Sequence, residues 1–311
     1  MIAKCRQFQV LLYLFFGLLL PAVFAAQTEK PLEKPITVQQ GGVIHLQVDV
    51  SAIGGAPQLS QLTFSSGAAK HGVKALPRKA PVFLQKDQAK YNVANHSVTV
   101  ETLMPIEVSD PLGSATLSLI DAHGNIQTEY PVKIESGHFR RQNIQVSSQT
   151  KGLEPEPGEL EAVAKLKNET GSQKYWQFPL ITPTPDCANS PFGVLRYHNG
   201  VYTGNYHKGL DFRSPMGRPV RATSGGEVKI AKKMRLHGGT VGLDHGQGLS
   251  SIYIHLSKIM VKTGQHVQAG EVIGEVGATG FATGPHLHWG VFANGVPINP
   301  LKWLPQAKTC F

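Results

Sequence analysis

Short segments in which apolar and polar residues alternate recur along the chain, separated by turn residues. Clear examples in the first half are Val43–Val50, Ser97–Glu101 and Ala115–Ile120. An alternation of period two places the apolar side chains on one face of a β-strand. The 311 residues include 33 glycines and 21 prolines, which suit turns and disfavour long helices. The sequence therefore predicts a mainly β protein.

The pattern changes along the chain in a way that predicts two β domains. Residues 26–140 contain short strands separated by glycine-rich turns, which favours a β-sandwich-like domain. Residues 176–311 are richer in glycine and favour a partly closed, antiparallel β domain. Its predicted strands are Val228–Ile230, Thr240–Leu243, Ser251–Ile254, Glu271–Val276 and Leu287–Val291.

A predicted linker, residues 141–175, joins the two domains and contains one short helix. Two glutamates, Glu159 and Glu161, lie in its first turn, where the helix dipole favours negative charge. We interpret it as an ordinary connecting helix, and a helix that packs across a groove of the second domain is the alternative. The helix is predicted over Gly158–Lys167, with Leu160, Val163, Ala164 and Lys167 at helical spacing.

Residues 1–25 have the layout of a secretory signal peptide. Lys4 and Arg6 precede an apolar run, Val10–Phe24, and the small residues Val23 and Ala25 suit cleavage after Ala25. An uncleaved anchor is the alternative, although a membrane span needs about 20 apolar residues. We expect a periplasmic or secreted protein with no stable membrane span after cleavage.

Export has consequences for the cysteines. Cys5 lies in the predicted signal peptide and is lost with it, which leaves Cys187 and Cys310. An even pair in an oxidising compartment favours a disulfide, here one that ties the end of the second domain to its beginning. Two unpaired thiols are the alternative.

The charge balance restricts the partners. The formal net charge is +9, and removal of Lys4 and Arg6 leaves 28 basic against 21 acidic residues, or +7. A basic exported protein is attracted to anionic polymers such as cell-wall carboxylates. The chain has no long Lys/Arg run and no aromatic–basic motif, so we expect no nucleic-acid partner.

Five residues of the second domain have the types and spacing of a catalytic metal site. His207 and Asp211 are four residues apart and His286 and His288 are two apart, and both separations place side chains on one face of an extended segment. His255 ends an alternating run. A catalytic zinc ion takes three nitrogen or oxygen ligands and keeps one open position. Two further histidines would then be available for proton transfer and oxyanion stabilisation.

The order and spacing of these motifs resemble those of the LytM/lysostaphin-type zinc metallopeptidases. The signature of that family is His-x-x-x-Asp, then a lone His, then His-x-His. The resemblance covers about residues 176–305 and extends to the surrounding residues. These are Ser190–Gly193 with Arg196, Gly217–Val220, Gly226–Val228, Asp244–Gly246, Gly264–Val267, Gly270–Gly274, Gly277–Gly280 and Thr283–His288.

The resemblance implies one zinc ion per chain, held by His207, Asp211 and His288. It implies that His255 and His286 are catalytic, one accepting a proton and the other stabilising the oxyanion, without indicating which does which. The implied substrate is a peptide crosslink of peptidoglycan, with a D-alanyl–diaminopimelate bond expected rather than a glycine bridge. The family often adds a side chain from the loop before the first ligand, for which Tyr202, Asn205 and Tyr206 are the candidates.

The remaining histidines have no such context. We interpret His237, His245 and His266 as structural or surface residues, and we expect His198 to line the groove. The first half of the chain contains no catalytic constellation. Its histidines are interpreted as surface or strand polar residues: His45, His71, His96, His123 and His138.

Two other function classes compete with the enzyme. A LytM-type regulator that activates another wall hydrolase usually lacks a metal ligand, whereas all signature positions are present here. A biotinyl or lipoyl carrier is suggested by Val261–Gly274, but Lys258 and Lys262 lack the context of a modified lysine. The oligomeric state and the role of the first domain stay open.

Overall fold

The computed structural model describes residues 34–49, 59–66, 78–85, 99–121, 123–144, 154–304 and 307–311. The predicted signal peptide, residues 1–25, lies outside these ranges. Within them, nearly all regular structure is β, which confirms the predicted fold class. No helix in the described ranges is long and apolar enough to cross a bilayer.

The first half forms two sheets that share one core. One sheet has the order β1-β8-β7-β3-β4 and the other β2-β6-β5. Side chains such as Met104 and Leu117 come from the two sheets and are fully buried between them, as in a sandwich. The strands are β1 (Ile36–Gln39), β2 (Val43–Asp49), β3 (Leu59–Ser66), β4 (Arg78–Pro81), β5 (Phe83–Gln85), β6 (Thr99–Pro105), β7 (Gly113–Asp121), β8 (Ile126–Glu135) and β9 (Arg141–Ile144).

The second half is organised around one large sheet. Its order is β10-β13-β21-β17-β16-β15-β19, with β22 added beside β21. Two smaller sheets, β14-β20-β18 and β12-β11-β9, flank it. The elements are β10 (Ala188–Ser190), β11 (Leu195–His198), β12 (Val201–Tyr206), β13 (Leu210–Phe212), β14 (Pro219–Arg221), β15 (Gly226–Met234), β16 (Gly238–Gly246), β17 (Leu249–Leu256), β18 (Lys258–Ile259), β19 (His266–Val267), β20 (Val272–Glu275), β21 (Leu287–Ala293), β22 (Val296–Ile298) and a 3₁₀ helix (Pro300–Trp303).

One α-helix, α1 (Glu159–Lys167), is present among the described residues, close to the predicted bounds. Of the four residues at helical spacing, Val163 is buried and Leu160 is not. The buried residues are Glu159, Val163 and Leu166, whereas Leu160 is 52% exposed. The physical reason is that the carboxylate of Glu159 binds backbone N–H groups of the turn between β15 and β16, which turns Leu160 outward.

The helix α1 lies on the same face of the large sheet as His288. Side chains alternate along β21, so His288 and Phe292 share one face while the fully buried Trp289 points to the other. Val163 and Leu166 pack against Phe292 and neighbouring residues of β15 and β17. The helix therefore covers the sheet beside the predicted metal ligands.

The two halves of the chain are packed together. Leu103 of β6 is 1% exposed and belongs to the core of the second half. The side-chain amide of Asn294 donates to the carbonyl of Leu103 at 2.6 Å. In addition, β9 pairs in parallel with β11. The first half therefore supports the strands that lead into the site.

The C-terminus is tied to the start of the second half. Cys187 and Cys310 form a disulfide, with their Cα atoms 5.9 Å apart. The N–H of Ala188 donates to Lys308 O, and the N–H of Cys310 donates to Ala188 O, both at 2.8 Å. Because β10 pairs with β13, this connection supports the strand that carries Asp211.

Candidate metal centre

Two paired strands bring Asp211 and His288 together. In the antiparallel pair of β13 and β21, Asp211 lies directly opposite His288, so both side chains point to the same face. His207 stands between β12 and β13. Its backbone N–H donates to Val194 O at 2.9 Å, and its carbonyl accepts from the N–H of Gly193 at 2.8 Å. Strand pairing and these two hydrogen bonds fix the three residues relative to one another.

The three side chains converge on one point. His207 Nε2 lies 3.0 Å from Asp211 Oδ1 and 3.0 Å from His288 Nδ1. His288 Nδ1 lies 2.8 Å from Asp211 Oδ1. Among the described residues, this trio is the one group of histidine, cysteine and acidic side chains arranged to hold a metal ion.

The arrangement of protons at this point favours a cation. His207 Nδ1 lies 2.8 Å from Pro191 O and donates its N–H there. When the ring carries only this one proton, Nε2 faces the Asp211 carboxylate with a lone pair. Two acceptors at 3.0 Å repel each other unless a proton or a metal ion lies between them. Zinc bonds of 2.0–2.1 Å in a tetrahedron place ligand atoms about 3.3 Å apart, close to the separations here.

The electrostatics of the trio match its geometry. Burial would raise the pKa of Asp211, but hydrogen bonds and charge interactions with His207 and His288 hold it well below its usual value. Burial lowers the pKa of His288 despite the neighbouring carboxylate. An ionised aspartate with an unprotonated histidine is the form that binds a metal ion.

The geometry also depends on Gly209, which the sequence analysis did not identify. A Cβ atom at Gly209 would collide with the backbone of Trp289 and lie 2.9 Å from His288 Nε2. Any larger residue would separate β13 from β21 at the point where Asp211 meets His288. Glycine is thus required by close backbone approach.

His255 and His286 lie beside the trio with their rings 4.7 Å apart. The ring of His255 is 6.4 Å from that of His288. His255 Nδ1 donates to Thr279 O at 2.8 Å, and His286 Nδ1 donates to Gly284 O at 2.9 Å. In its neutral form, each ring then has Nε2 free to accept a proton.

His255 differs from an ordinary surface histidine in two ways. Its side chain is buried, and burial lowers its pKa to about 4, so it is neutral near pH 7. Its backbone has φ = 65°, in the left-handed region that non-glycine residues rarely adopt. Such a conformation persists only where the surroundings fix it.

The three candidates on the loop before His207 have different environments. Tyr206 is half-buried against the ring of Phe192, and burial raises its pKa to about 12. Tyr202 and Asn205 are exposed on β12. His198 lies on β11, and its side chain is outside the described part of the structure.

The other histidines are placed as follows. His245 is fully buried, with Nδ1 donating to Gly225 O and Nε2 2.8 Å from Ser251 Oγ. His237 lies in the turn between β15 and β16, and its Nδ1 is hydrogen-bonded to the carboxylate of Glu159. His45 binds Glu101 on the neighbouring strand β6. His123, His138 and His266 are exposed, and His71 and His96 lie outside the described residues.

Comparison with known proteins identifies the segment that carries the site. The model of peptidase family M23 matches residues 205–300, which contain all five predicted site residues. The DD-carboxypeptidase/endopeptidase Mpg of Neisseria meningitidis serogroup B is 42% identical over 114 residues, 37% of this chain and 26% of that protein. The peptidoglycan DD-endopeptidase ShyA of Vibrio cholerae serotype O1 is 43% identical over 122 residues, 39% of this chain and 28% of that protein. The chain thus matches about a quarter of the length of these relatives.

One solved structure resembles the chain beyond this segment. The crystal structure of a putative peptidase M23 from Pseudomonas aeruginosa has a TM-score of 0.56 and 27% sequence identity. The match covers 88% of this chain and 96% of that chain. The likeness therefore extends into the sheets of the first half.

Proposed function

We propose that this chain, whose residues 205–300 form a LytM-type domain of peptidase family M23, is a zinc-dependent endopeptidase of bacterial peptidoglycan. The observation that carries the proposal is the convergence of His207, Asp211 and His288 on one point, with ligand atoms 2.8–3.0 Å apart. His255 and His286 beside them provide two further nitrogen atoms for acid–base chemistry.

The residues would divide the work as follows. His207 Nε2, Asp211 Oδ1 and His288 Nδ1 would hold the zinc ion. The bound ion would act as a Lewis acid toward the scissile carbonyl and would lower the pKa of a water molecule. Pro191 O orients His207 by accepting its Nδ1 proton, as outer ligand partners commonly do.

The two further histidines would handle the proton and the developing oxyanion. His255 enters the reaction neutral, because burial lowers its pKa to about 4, and its free Nε2 can accept a proton. The Nδ1 proton of each ring is held by a backbone carbonyl, Thr279 O for His255 and Gly284 O for His286. Both rings are therefore oriented in advance, which is the main requirement for general acid–base catalysis.

For the substrate, we propose the D-alanyl–diaminopimelate crosslink of a periplasmic or cell-surface wall. The names of the relatives Mpg and ShyA, DD-endopeptidases, support this bond. The predicted signal peptide would bring the protein to this compartment.

Substitutions that separate zinc binding from catalysis test the proposal. We expect His207→Ala and Asp211→Ala to lose both zinc and activity, because each removes one of three ligands. We expect His286→Ala to retain zinc while its cleavage of crosslinked muropeptide dimers falls by about 100-fold or more. Zinc is measured by elemental analysis of the dialysed protein, and cleavage by chromatography of the dimers.

His266→Ala serves as the matched control, because His266 is exposed and should keep both properties. Unchanged zinc content in His207→Ala and Asp211→Ala would contradict the ligand assignment. Bound zinc in the wild type without any cleavage would favour the regulatory alternative.

A further inference from the structure

The turn between β15 and β16 is held by a carboxylate from the linker helix. Glu159 of α1 has no exposed surface. Its Oε1 accepts the backbone N–H of Leu236 at 3.0 Å and that of His237 at 2.8 Å. The same oxygen accepts the Nδ1 proton of His237 at 2.6 Å. One buried side chain therefore binds three donors of a single turn.

The same turn is also hydrogen-bonded to His255. The carbonyl of His237 accepts the backbone N–H of His255 at 2.9 Å, and the carbonyl of Leu236 accepts the N–H of Phe281 at 2.8 Å. Phe281 lies two residues after Thr279, whose carbonyl accepts the ring proton of His255 at 2.8 Å. The turn thus contacts both the backbone of His255 and the loop that orients its ring.

The need for such support follows from the backbone of His255. Its φ of 65° is unfavourable for a residue with a Cβ atom. A strained residue relaxes when the groups around it loosen. A shift of about 1 Å in a reacting group can lower the reaction rate about 100-fold. Loss of the groups that hold His255 in place is therefore expected to slow the reaction.

We propose that Glu159 is a positioning residue for His255, acting through the turn at Leu236 and His237. This inference rests on the proposed function, in which His255 is one of the two catalytic histidines. It makes the linker helix α1 a part of the catalytic unit, in addition to its role as a connection between the two halves of the chain.

The charge of Glu159 suits this role. Burial would raise its pKa, but hydrogen bonds from His237, Glu156 and Leu236 bring it to about 2, so the group is ionised near neutral pH. Replacement by alanine would leave the buried N–H groups of the turn without their acceptor. Replacement by glutamine would keep one acceptor oxygen and lose the charge.

The test uses Glu159→Ala and Glu159→Gln in the full chain, with Glu161→Gln as the matched control. Glu161 lies on the same helix and is exposed. We expect kcat for muropeptide dimers to fall by about 100-fold in the alanine variant and by about tenfold in the glutamine variant. KM should stay within about twofold and the zinc content unchanged, because neither the groove nor the ligands are altered. The control should match the wild type.

A second measurement is independent of activity. The backbone amide of His255, which donates to His237 O, should exchange its hydrogen faster in both Glu159 variants than in the wild type. If the alanine variant does not fold, the glutamine variant carries the test. Wild-type kcat or wild-type exchange at His255 in the glutamine variant would overturn the proposal. A wild-type protein that cleaves no crosslinks, with faster exchange in the variants, would refute the proposed function and leave the positioning role standing.

Discussion

We predict that the protein loses stability in mild acid because of His245, a buried histidine of β16 in the second half of the chain. Its ring is fully buried, with Nδ1 donating to Gly225 O and Nε2 lying 2.8 Å from Ser251 Oγ. A proton on Nε2 would place a positive charge in the core, away from water. Burial accordingly lowers the pKa of His245 from 6.5 to about 4.

The magnitude follows from linkage between protonation and folding. The unfolded chain binds this proton below about pH 6.5, whereas the folded protein binds it only below about pH 4. The stabilisation is therefore complete above pH 6.5 and is lost as the pH falls toward 4. The slope is about 1.4 kcal/mol per pH unit, and the total loss over this window is about 3 kcal/mol.

The assay compares wild type with His245→Asn by urea denaturation at several pH values between 7 and 4. Excess chelator keeps both proteins free of zinc, so that proton competition at the ligands does not contribute. Asparagine can still donate to Gly225 O but does not titrate. We expect the variant to be less stable at pH 7 and to lose about 3 kcal/mol less than the wild type between pH 7 and 4.

The control variant is His266→Asn, which removes an exposed histidine. Its free energy of unfolding should depend on pH as that of the wild type does. Other buried histidines such as His255 contribute equally to all three proteins, so the difference isolates His245. Parallel pH profiles for the wild type and His245→Asn would refute the reasoning.

Two further predictions concern the supports of the metal centre. Gly209→Ala should weaken zinc binding by at least about tenfold, because a Cβ atom would push β13 away from β21; competition with a chelator measures this. Gly171→Ala, where the added Cβ would make only an ordinary 3.6 Å contact with Asp244, is its control, and equal affinities in the two variants would contradict the prediction. Cys187→Ser should lower the free energy of unfolding by up to about 5 kcal/mol, since the disulfide closes a loop with a sequence separation of 123 residues. Identical urea midpoints for this variant and the oxidised wild type would show that the disulfide does not stabilise the fold.

The parts of the fold that the sequence predicted are those with a local signal. Alternation of apolar and polar residues located β2 and β7, in which one face is more buried than the other. The His-x-His spacing predicted that His286 and His288 share one side of a segment, and both rings lie within 6.4 Å of the His255 ring. Such features depend only on residues near one another in the chain.

The parts that could not be predicted depend on distant residues. The buried face of α1 is set by Glu159, whose partner Leu236 lies 77 residues away. The need for glycine at position 209 arises from the backbone of Trp289 on another strand. The parallel pairing of β9 with β11 has no local signal in either segment.

The most direct test of the central claim is digestion of purified peptidoglycan by residues 26–311, with zinc quantified in the same sample. Asp211→Ala is treated in parallel. The account predicts about one zinc ion per chain and loss of crosslinked dimers with the wild type, and neither with the variant. Cleavage by Asp211→Ala at the wild-type rate, or cleavage by a wild-type protein that binds no zinc, would contradict it.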